Sequence, residues 1–147
     1  MVYLGSDHGG FELKQKAKEW IKELGFDVED LGDNAPIDQT DDYPLFAQAV
    51  SKAVRQSPIN RGILFCKSGG GMTIAANKEN GIRAVNVIDE ATARQAREHL
   101  DANIIAIGSR WVSEDNARKA IATFLTTMFS EEERHKRRIE EMKNEEK

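Results

Sequence analysis

Cys66, the only cysteine of the 147-residue chain, is the residue best suited by type and setting to act as a base or a nucleophile. It follows the apolar run 62–65 and precedes a glycine-rich stretch made of Lys67, Ser68, Gly69, Gly70 and Gly71. Successive glycines let backbone N–H groups converge on a negative oxygen, and the amino terminus of a following helix adds partial positive charge. The same surroundings favour a thiolate over a thiol. One loop therefore offers both a base and an anion-binding site.

Taken alone, this loop has plainer explanations. A strand, a glycine-rich loop and a helix in succession more often bind a phosphate or a nucleotide than supply a catalyst. The sequence matches neither the P-loop, which ends in Gly-Lys-Ser/Thr, nor the dinucleotide fingerprint. A lone cysteine at a strand end is most often a small core residue. The spacing alone leaves the catalytic, binding and structural alternatives open.

Asp7 and His8 form a second polar pair at the end of an apolar run, and Gly9 and Gly10 follow them. In an α/β sheet, we expect both side chains to project toward the same edge as the Cys66 loop. The alternative for Asp7 is to cap the next helix. The sequence does not separate these two roles.

Three further basic residues are candidates for acid–base or anion-binding roles. His99 ends a helical pattern, where the helix dipole by itself also favours a positively charged imidazole. Arg134 and Arg138 are four residues apart, so they share one helical face and can grip a phosphate together. Pairing with neighbouring glutamates is the structural alternative for both arginines.

Short apolar runs alternate with amphipathic stretches along the chain. Five runs without strict polar alternation are typical of strands covered on both faces: 1–5, 26–30, 62–65, 83–87 and 103–107. Helical periodicity is found at 13–24, 45–54, 71–78, 91–99 and 114–129. In the first of these helices, the face expected to be buried carries Leu13, Ala17, Trp20, Ile21 and Leu24, and Gly25 is the expected terminator. In the second, the face expected to be buried carries Leu45, Phe46, Ala49, Val50, Ala53 and Val54. The loop 32–44, rich in Asp, Asn and Pro, is the expected mobile segment. This order predicts an α/β fold: a single-domain, Rossmann-like three-layer α/β/α sandwich with a five-stranded parallel sheet.

Composition narrows the class of protein. Hydrophobic residues are 39% and charged residues 31% of the chain, which indicates a soluble globular domain. The formal net charge of −4 provides no general attraction to nucleic acid or to a membrane. One cysteine excludes an internal disulfide, and the amino-terminal stretch MVYLGSDHGG lacks the features of a secretory signal. We therefore expect a cytoplasmic protein.

The segment 131–147 differs from the rest of the chain because nearly all of its residues are charged, with only Ile139 and Met142 to bury. We expect an α/β domain over 1–130 and a protruding carboxyl-terminal helix over 131–147. A solvated tail is the alternative for such a charge run.

Six stretches resemble, in order and in spacing, successive blocks of the type B ribose-5-phosphate isomerases. They are SDHGGFELK, DYP, LFCKSGGGMTIAANK, GIRAV, REHLDANIIAIGSR and RHKRRIEEM. The resemblance spans nearly the whole chain, and the same superfamily includes the paired subunits of galactose-6-phosphate isomerase. The combination is far more specific than any single block.

The resemblance implies interconversion of ribose 5-phosphate and ribulose 5-phosphate through a cis-enediolate, with no metal or organic cofactor. Cys66 would carry the proton between C2 and C1, while the Ser68 hydroxyl and the amides of residues 68–71 would hold the enediolate oxygens. His99 would open the sugar ring, and Asp7 would orient hydroxyls or assist that step. These roles fit the need of such chemistry for a positioned base and a stabilised oxyanion.

The resemblance also assigns the pocket wall to Tyr43 and the phosphate site to His8, Arg110, Arg134 and Arg138. In the family, the terminal arginines reach across from a neighbouring subunit. This implies a homodimer or a dimer of dimers, with the carboxyl-terminal helix as an intersubunit arm docked through Ile139 and Met142.

Two positions depart from the family pattern. Leu100 replaces a common asparagine and cannot hydrogen-bond a sugar hydroxyl, which keeps a six-carbon or other aldose phosphate as an alternative substrate. Lys67 replaces a common glycine and would place an ammonium near the thiolate.

Two alternatives from other classes stay open. One is a sugar-phosphate-binding protein without catalytic activity. The other is a zinc site built from Asp7, His8, Cys66 and His99, whose residue types suit zinc although none of the usual short paired spacings is present.

Overall fold

The structure is a computed structural model that describes residues 1–34 and 40–146. Its strands are β1 Val2–Ser6, β2 Val28–Asp30, β3 Arg61–Cys66, β4 Ala84–Asn86 and β5 Ile104–Gly108. They form one parallel sheet in the order β2-β1-β3-β5-β4. All five predicted strands and their parallel arrangement are confirmed. The mobility expected of the loop 32–44 stays a prediction, and residues 35–39 of that loop lie outside the described residues.

Six helices connect and flank the strands in the described part of the chain. A 3-10 turn at His8–Gly10 leads directly into the first helix. The helices are α1 Phe11–Glu23, α2 Tyr43–Val54, α3 Gly70–Ala76, α4 Glu90–Glu98, α5 Glu114–Thr126 and α6 Glu133–Lys143. Each predicted helix is present, and α6 confirms a helix within the charged segment 131–147.

Two apolar clusters cover the two faces of the sheet. One cluster joins β-strand residues to the buried faces of α1, α4 and α5, and the other joins them to α2 and α3. Ile63, Phe65 and Ile105 point into the first cluster, whereas Leu64 and Ile104 point into the second. This alternation along buried strands gives the three-layer α/β/α sandwich that the sequence predicts.

Helix α1 ends where its sequence predicts. Gly25 adopts a φ of +91°, a left-handed conformation that glycine takes at low cost, and its N–H donates to the Lys22 carbonyl. Leu13, Ala17 and Ile21 are buried, as expected. Leu24, expected on the same face, is 42% exposed because the helix has already ended at Glu23.

Lys14, on the same helix, is fully buried, which the periodicity of the sequence does not indicate. Its ammonium donates to Asp30 Oδ1 at 2.8 Å and to the Asp33 carbonyl, and Lys18 bonds the other Asp30 oxygen at 2.6 Å. Burial lowers the pKa of Lys14, opposed by the hydrogen bond and charge of Asp30. Burial would raise the pKa of Asp30, but the hydrogen bonds from both lysines hold it below its usual value.

Helix α2 uses a slightly different face from the predicted one. Ala47, Val50 and Val54 pack on the sheet together with Ser51. Leu45, predicted to be buried, is 65% exposed. The prediction that Leu45 lies in the core is wrong, because a helix that buries positions 47, 50 and 54 turns position 45 toward solvent.

The carboxyl-terminal helix is attached at both ends. The Ser130 N–H donates to the Glu98 carbonyl at the end of α4, and Glu146 Oε1 accepts the Gly81 N–H at 2.8 Å. Between these points, a cavity of about 680 Å³ separates Ile139 and Met142 from the body of the chain. Within the ranges 1–34 and 40–146, no helix has both the length and the apolar character that crossing a membrane requires.

Candidate active site

Cys66 ends β3, is 5% exposed and belongs to the apolar cluster that lies beneath α2 and α3. Its sulfur nevertheless faces the glycine turn, because the Gly69 N–H donates to Sγ at 3.0 Å. Gly69 adopts a φ of +81°, which favours glycine and turns its amide back toward the strand end. This donor stabilises negative charge on the sulfur. The sulfur is therefore buried at the turn rather than sealed away from it.

The amides of the glycine turn divide into used and available donors. The Gly69 N–H serves the sulfur, and the Gly70 N–H donates to Ser68 Oγ at 3.2 Å. Among the described residues, the amides of Ser68 and Gly71 have no hydrogen-bond partner. Two of the four predicted oxyanion donors thus remain available to a ligand.

The turn after β5 holds the Cys66 loop in place. Backbone N–H groups of Ser109 and Arg110 donate to the carbonyls of Cys66 and Lys67 at 2.8 and 3.0 Å. Trp111 Nε1 donates to the Ser68 carbonyl at 3.2 Å. Three consecutive residues of one turn therefore fix three consecutive carbonyls of the other. The Arg110 side chain stays exposed beside the loop, with its guanidinium 5.8 Å from the Trp111 ring centroid.

Asp7 and His8 lie at the same edge of the sheet, since β1 pairs in register with β3 up to Ser6 and Phe65. Asp7 Oδ1 accepts the N–H groups of Gly9 and Gly10 at 2.9 and 3.2 Å, so the capping role is present. His8 Nδ1 lies 2.7 Å from Asp41 Oδ1. Asp41 is a residue that the sequence analysis missed, because its partner is 33 positions away and no local pattern marks it.

Tyr43 stands over the glycine turn at the start of α2. A Cβ added to Gly71 would meet the Tyr43 ring at 2.5 to 2.7 Å, so the ring rests directly on that glycine. Tyr43 is 39% exposed. The position fits a pocket wall, and the glycine is needed because any side chain would push the ring away.

His99 does not join this group within one chain. It caps the carboxyl end of α4, which runs back from the β4 side and leads into the start of β5. Ile104 pairs with Gly62 at that end, and Gly108 pairs with Cys66 at the other. The four-residue step between them is about 13 Å. His99 thus lies at the amino-terminal edge of the sheet, opposite Cys66.

A second cluster surrounds His99. The ring of His135, from α6, stacks on the His99 ring with centroids 4.4 Å apart, and its Nδ1 lies 2.9 Å from Ser130 Oγ. His135 is 4% exposed, and burial together with His99 and nearby arginines lowers its pKa. Arg134 and Arg138 are exposed on the same helix. His135 was not predicted as a site residue, although it is adjacent to Arg134.

The predicted site residues, joined by His135, therefore form two groups at opposite edges of the sheet. The first, which we call the cysteine-edge cluster, consists of Asp7, His8, Tyr43, Cys66, Ser68, Gly69, Gly70, Gly71 and Arg110. The second, the histidine-edge cluster, consists of His99, Arg134, His135 and Arg138. One chain alone does not bring the two clusters together.

Comparison with known proteins identifies the family. The model of the ribose/galactose isomerase family matches residues 2–142. The chain belongs to that family. The resemblance found in the sequence is thereby confirmed, over nearly the whole length of the chain.

Individual members of the ribose/galactose isomerase family are closely similar to this chain. The probable ribose-5-phosphate isomerase B of Mycoplasma genitalium is 41% identical over 142 residues, covering 96% of this chain and 92% of that protein. The ribose-5-phosphate isomerase B of Mycobacterium tuberculosis is 41% identical over 139 residues, covering 95% of this chain and 85% of that protein.

Solved structures of the family share the fold. The Mycoplasma genitalium isomerase B with bound ribulose-5-phosphate has a TM-score of 0.92 and 39% identity, covering 97% of this chain and 93% of that one. The Clostridium thermocellum isomerase B has a TM-score of 0.90 and 39% identity, covering 97% and 95%.

The alternative zinc site of Asp7, His8, Cys66 and His99 does not assemble in one chain, because His99 lies at the opposite edge. In the described part of the chain, the residues that offer metal-ligand atoms close together are Asp7, His8 and Asp41, whose donor atoms lie within 4.8 Å of one another. Their contacts are already explained by helix capping and by the His8–Asp41 pair. The absence of a catalytic metal stays a prediction.

Proposed function

We propose that the chain interconverts ribose 5-phosphate and ribulose 5-phosphate through a cis-enediolate, with Cys66 as the base. The observation that carries this proposal is the Cys66 sulfur held 3.0 Å from the Gly69 amide, in a family whose similar members are named for this reaction. A purely structural cysteine has no need of a glycine turn with open amides beside it.

The cysteine-edge cluster has the parts that proton transfer next to a carbonyl requires. The Cys66 thiolate removes the proton from C2 and returns it to C1, or the reverse. The open amides of Ser68 and Gly71 receive the negative oxygen that develops between these steps. The Oδ1 atom of Asp7 is engaged in capping, so its other oxygen is the one that can orient a sugar hydroxyl.

Ring opening and phosphate binding are assigned to both clusters. In this proposal His99 is the acid–base group that opens the sugar ring, and the phosphate is held by His8, Arg110, Arg134 and Arg138. Since His99 and Cys66 lie at opposite edges of one sheet, the histidine-edge cluster of one copy serves the cysteine-edge cluster of another. The working unit is then at least a homodimer, with α6 as the intersubunit arm.

The direct experiment follows turnover of ribose 5-phosphate in deuterated water. The wild type should form ribulose 5-phosphate with deuterium at the exchanged carbon, because a thiol base trades its proton with solvent. Cys66→Ala should lose turnover while still binding the sugar phosphate. Wild-type turnover in Cys66→Ala would refute the role of the base. Binding without turnover or deuterium incorporation would instead support a non-catalytic sugar-phosphate-binding protein.

A six-carbon aldose phosphate is the second candidate substrate, favoured by Leu100. This residue, next to His99, lines the same apolar cavity as Ile139 and Met142 and has no group to bond a sugar hydroxyl. Comparing kcat/KM for the ribose, allose and galactose phosphates separates the candidates. A clear preference for ribose 5-phosphate rejects the second.

The proposal includes no metal. Full activity after exhaustive chelation is the expected result, and loss of activity that zinc restores would contradict it.

A further inference from the structure

Asp41 is a buried carboxylate at the proposed site that none of the predicted roles uses. Its Oδ1 atom lies 2.7 Å from Nδ1 of His8 and also accepts the His8 backbone N–H at 3.3 Å. The Asp41 side chain is 7% exposed, and its Oδ2 atom is buried without a hydrogen-bond partner among the described residues. A carboxylate buried in this way needs its one strong contact, which is the His8 ring.

We propose that Asp41 is a positioning residue for His8: it fixes the ring so that Nδ1 faces the carboxylate and Nε2 faces the substrate phosphate. This inference rests on the proposed function for the identity of that phosphate ester. The contact with His8 itself is independent of it.

The contact determines which ring nitrogen carries a hydrogen. An ionised carboxylate only accepts hydrogen bonds, so Nδ1 at 2.7 Å must be the N–H donor. Nε2 is then turned away from Asp41. When the ring is protonated, Nε2–H donates to a phosphate oxygen, and the carboxylate behind it balances the charge of the imidazolium.

The backbone around His8 is already fixed, so the ring orientation is what Asp41 adds. Asp7 accepts the two amides that follow His8, and Ser109 Oγ donates to the Gly9 carbonyl at 2.8 Å. The His8 side chain is 29% exposed and lines a cavity of about 480 Å³. Without Asp41, no described side chain holds the imidazole in one orientation.

Other charged groups near His8 do not replace Asp41. Glu12, Lys16 and Glu114 line the same cavity, but Lys16 and Glu114 pair with each other. None of the three has a hydrogen bond or an ion pair with the His8 ring in the described structure. Asp7 lies close, but its Oδ1 is used in capping.

A purely structural role is a poor explanation for Asp41. The residue at the amino-terminal cap of α2 is Asp42, and its side chain makes no capping hydrogen bond. Asp41 precedes the cap and its oxygen contacts His8 rather than the helix. The segment that carries it also carries Tyr43, so Asp41 ties the wall of the pocket to the His8 turn.

The test begins with the free protein, where nitrogen NMR of the imidazoles reports the tautomer of His8. We expect the neutral wild-type ring to carry its hydrogen on Nδ1, and Asp41→Ala to shift it toward Nε2. Asp41→Asn, nearly the same size, serves as the second variant if the alanine variant unfolds. It should keep a hydrogen bond but lose the charge. Asp42→Ala, one residue away, is the matched control and should leave the tautomer unchanged.

Kinetics and phosphate binding give the second readout. Asp41→Ala should raise KM for the sugar phosphate and Ki for inorganic phosphate by about tenfold, the loss of one charge-assisted hydrogen bond, and change kcat by less than about twofold. In a His8→Ala background, Asp41→Ala should add no further effect, because its role acts through that ring. Asp42→Ala should match the wild type.

The outcomes separate this inference from the proposed function. A wild-type His8 with its neutral hydrogen on Nε2, or an Asp41→Ala protein with unchanged tautomer and phosphate affinity, overturns the positioning role. If the wild type does not turn over ribose 5-phosphate but Asp41→Ala still shifts the tautomer and weakens phosphate binding, the proposed function fails and the positioning role stands.

Discussion

Replacing Lys14 by methionine tests whether the buried ammonium holds α1 to the end of β2. Methionine keeps an unbranched side chain, one atom shorter than that of lysine, and removes both hydrogen bonds, to Asp30 Oδ1 and to the Asp33 carbonyl. Removing one partner of a buried ion pair costs about 3–5 kcal/mol. Asp30 keeps Lys18 at 2.6 Å and is 11% exposed, so we expect the lower end, about 3 kcal/mol.

Urea unfolding at one fixed protein concentration measures this loss, since association would shift the apparent free energy. A loss of about 3 kcal/mol corresponds to a melting temperature lower by about 6–12 °C for a chain of this length. Lys18→Met is the matched control on the same carboxylate. Its side chain is 24% exposed, so its loss should cost about 1 kcal/mol or less. Equal stability of Lys14→Met and the wild type would refute the reasoning.

Two further changes test the site. Gly71→Ala should reduce kcat/KM by at least about tenfold, because the new Cβ displaces the Tyr43 ring. Gly70→Ala is the control: a Cβ at that position lies 3.7 Å from its nearest neighbouring atom, so steady-state kinetics should show little change. Similar kinetics for both variants would contradict a wall formed by Tyr43. The pKa of His135 is lower in the folded chain than in the unfolded chain, so the unfolded chain takes up the proton first as the pH falls. The free energy of unfolding should therefore have its full value above pH of about 6.5 and decrease as the pH falls toward the folded-state pKa of His135. Urea unfolding of His135→Gln across this range should show a smaller loss of stability than the wild type, and an equal loss in both proteins would count against the lowered pKa of His135 as its cause.

The sheet and its helices were predictable because burial on both faces leaves a clear pattern. Apolar runs such as 62–65 and 103–107 mark strands, and Gly25 marks the end of α1 at a position that needs a positive φ. Leu45 was misplaced because a run of apolar residues in α2 fits two neighbouring helical faces. Which face is buried depends on packing with the sheet, which periodicity alone does not define.

Contacts between distant segments were beyond the sequence pattern. Lys14 looks like a surface lysine until Asp30 and Asp33 fold against it, and Asp41 gains a role only through His8. The position of His99, unlike these contacts, could be predicted from the order of the elements. A helix that follows a parallel strand returns to the opposite edge of the sheet, so its separation from Cys66 followed from the predicted order of elements. The resemblance had placed only the terminal arginines on the neighbouring subunit.

Mixing two inactive variants tests most directly whether each active site joins the two clusters from different copies. Cys66→Ala damages only the cysteine-edge cluster, and His99→Ala only the histidine-edge cluster. In a symmetric dimer, a mixed pair has one site with both defects and one intact site. Random exchange of equal amounts should therefore recover about one quarter of wild-type isomerase activity.

The matched control mixes Cys66→Ala with Asp7→Asn, which damage the same cluster and should recover nothing. Subunit exchange itself is checked by native mass spectrometry. Recovery to about one quarter in the first mixture, and none in the second, is the result that the shared site predicts. If mixed dimers form and the first mixture stays as inactive as its parents, the two clusters do not meet across subunits.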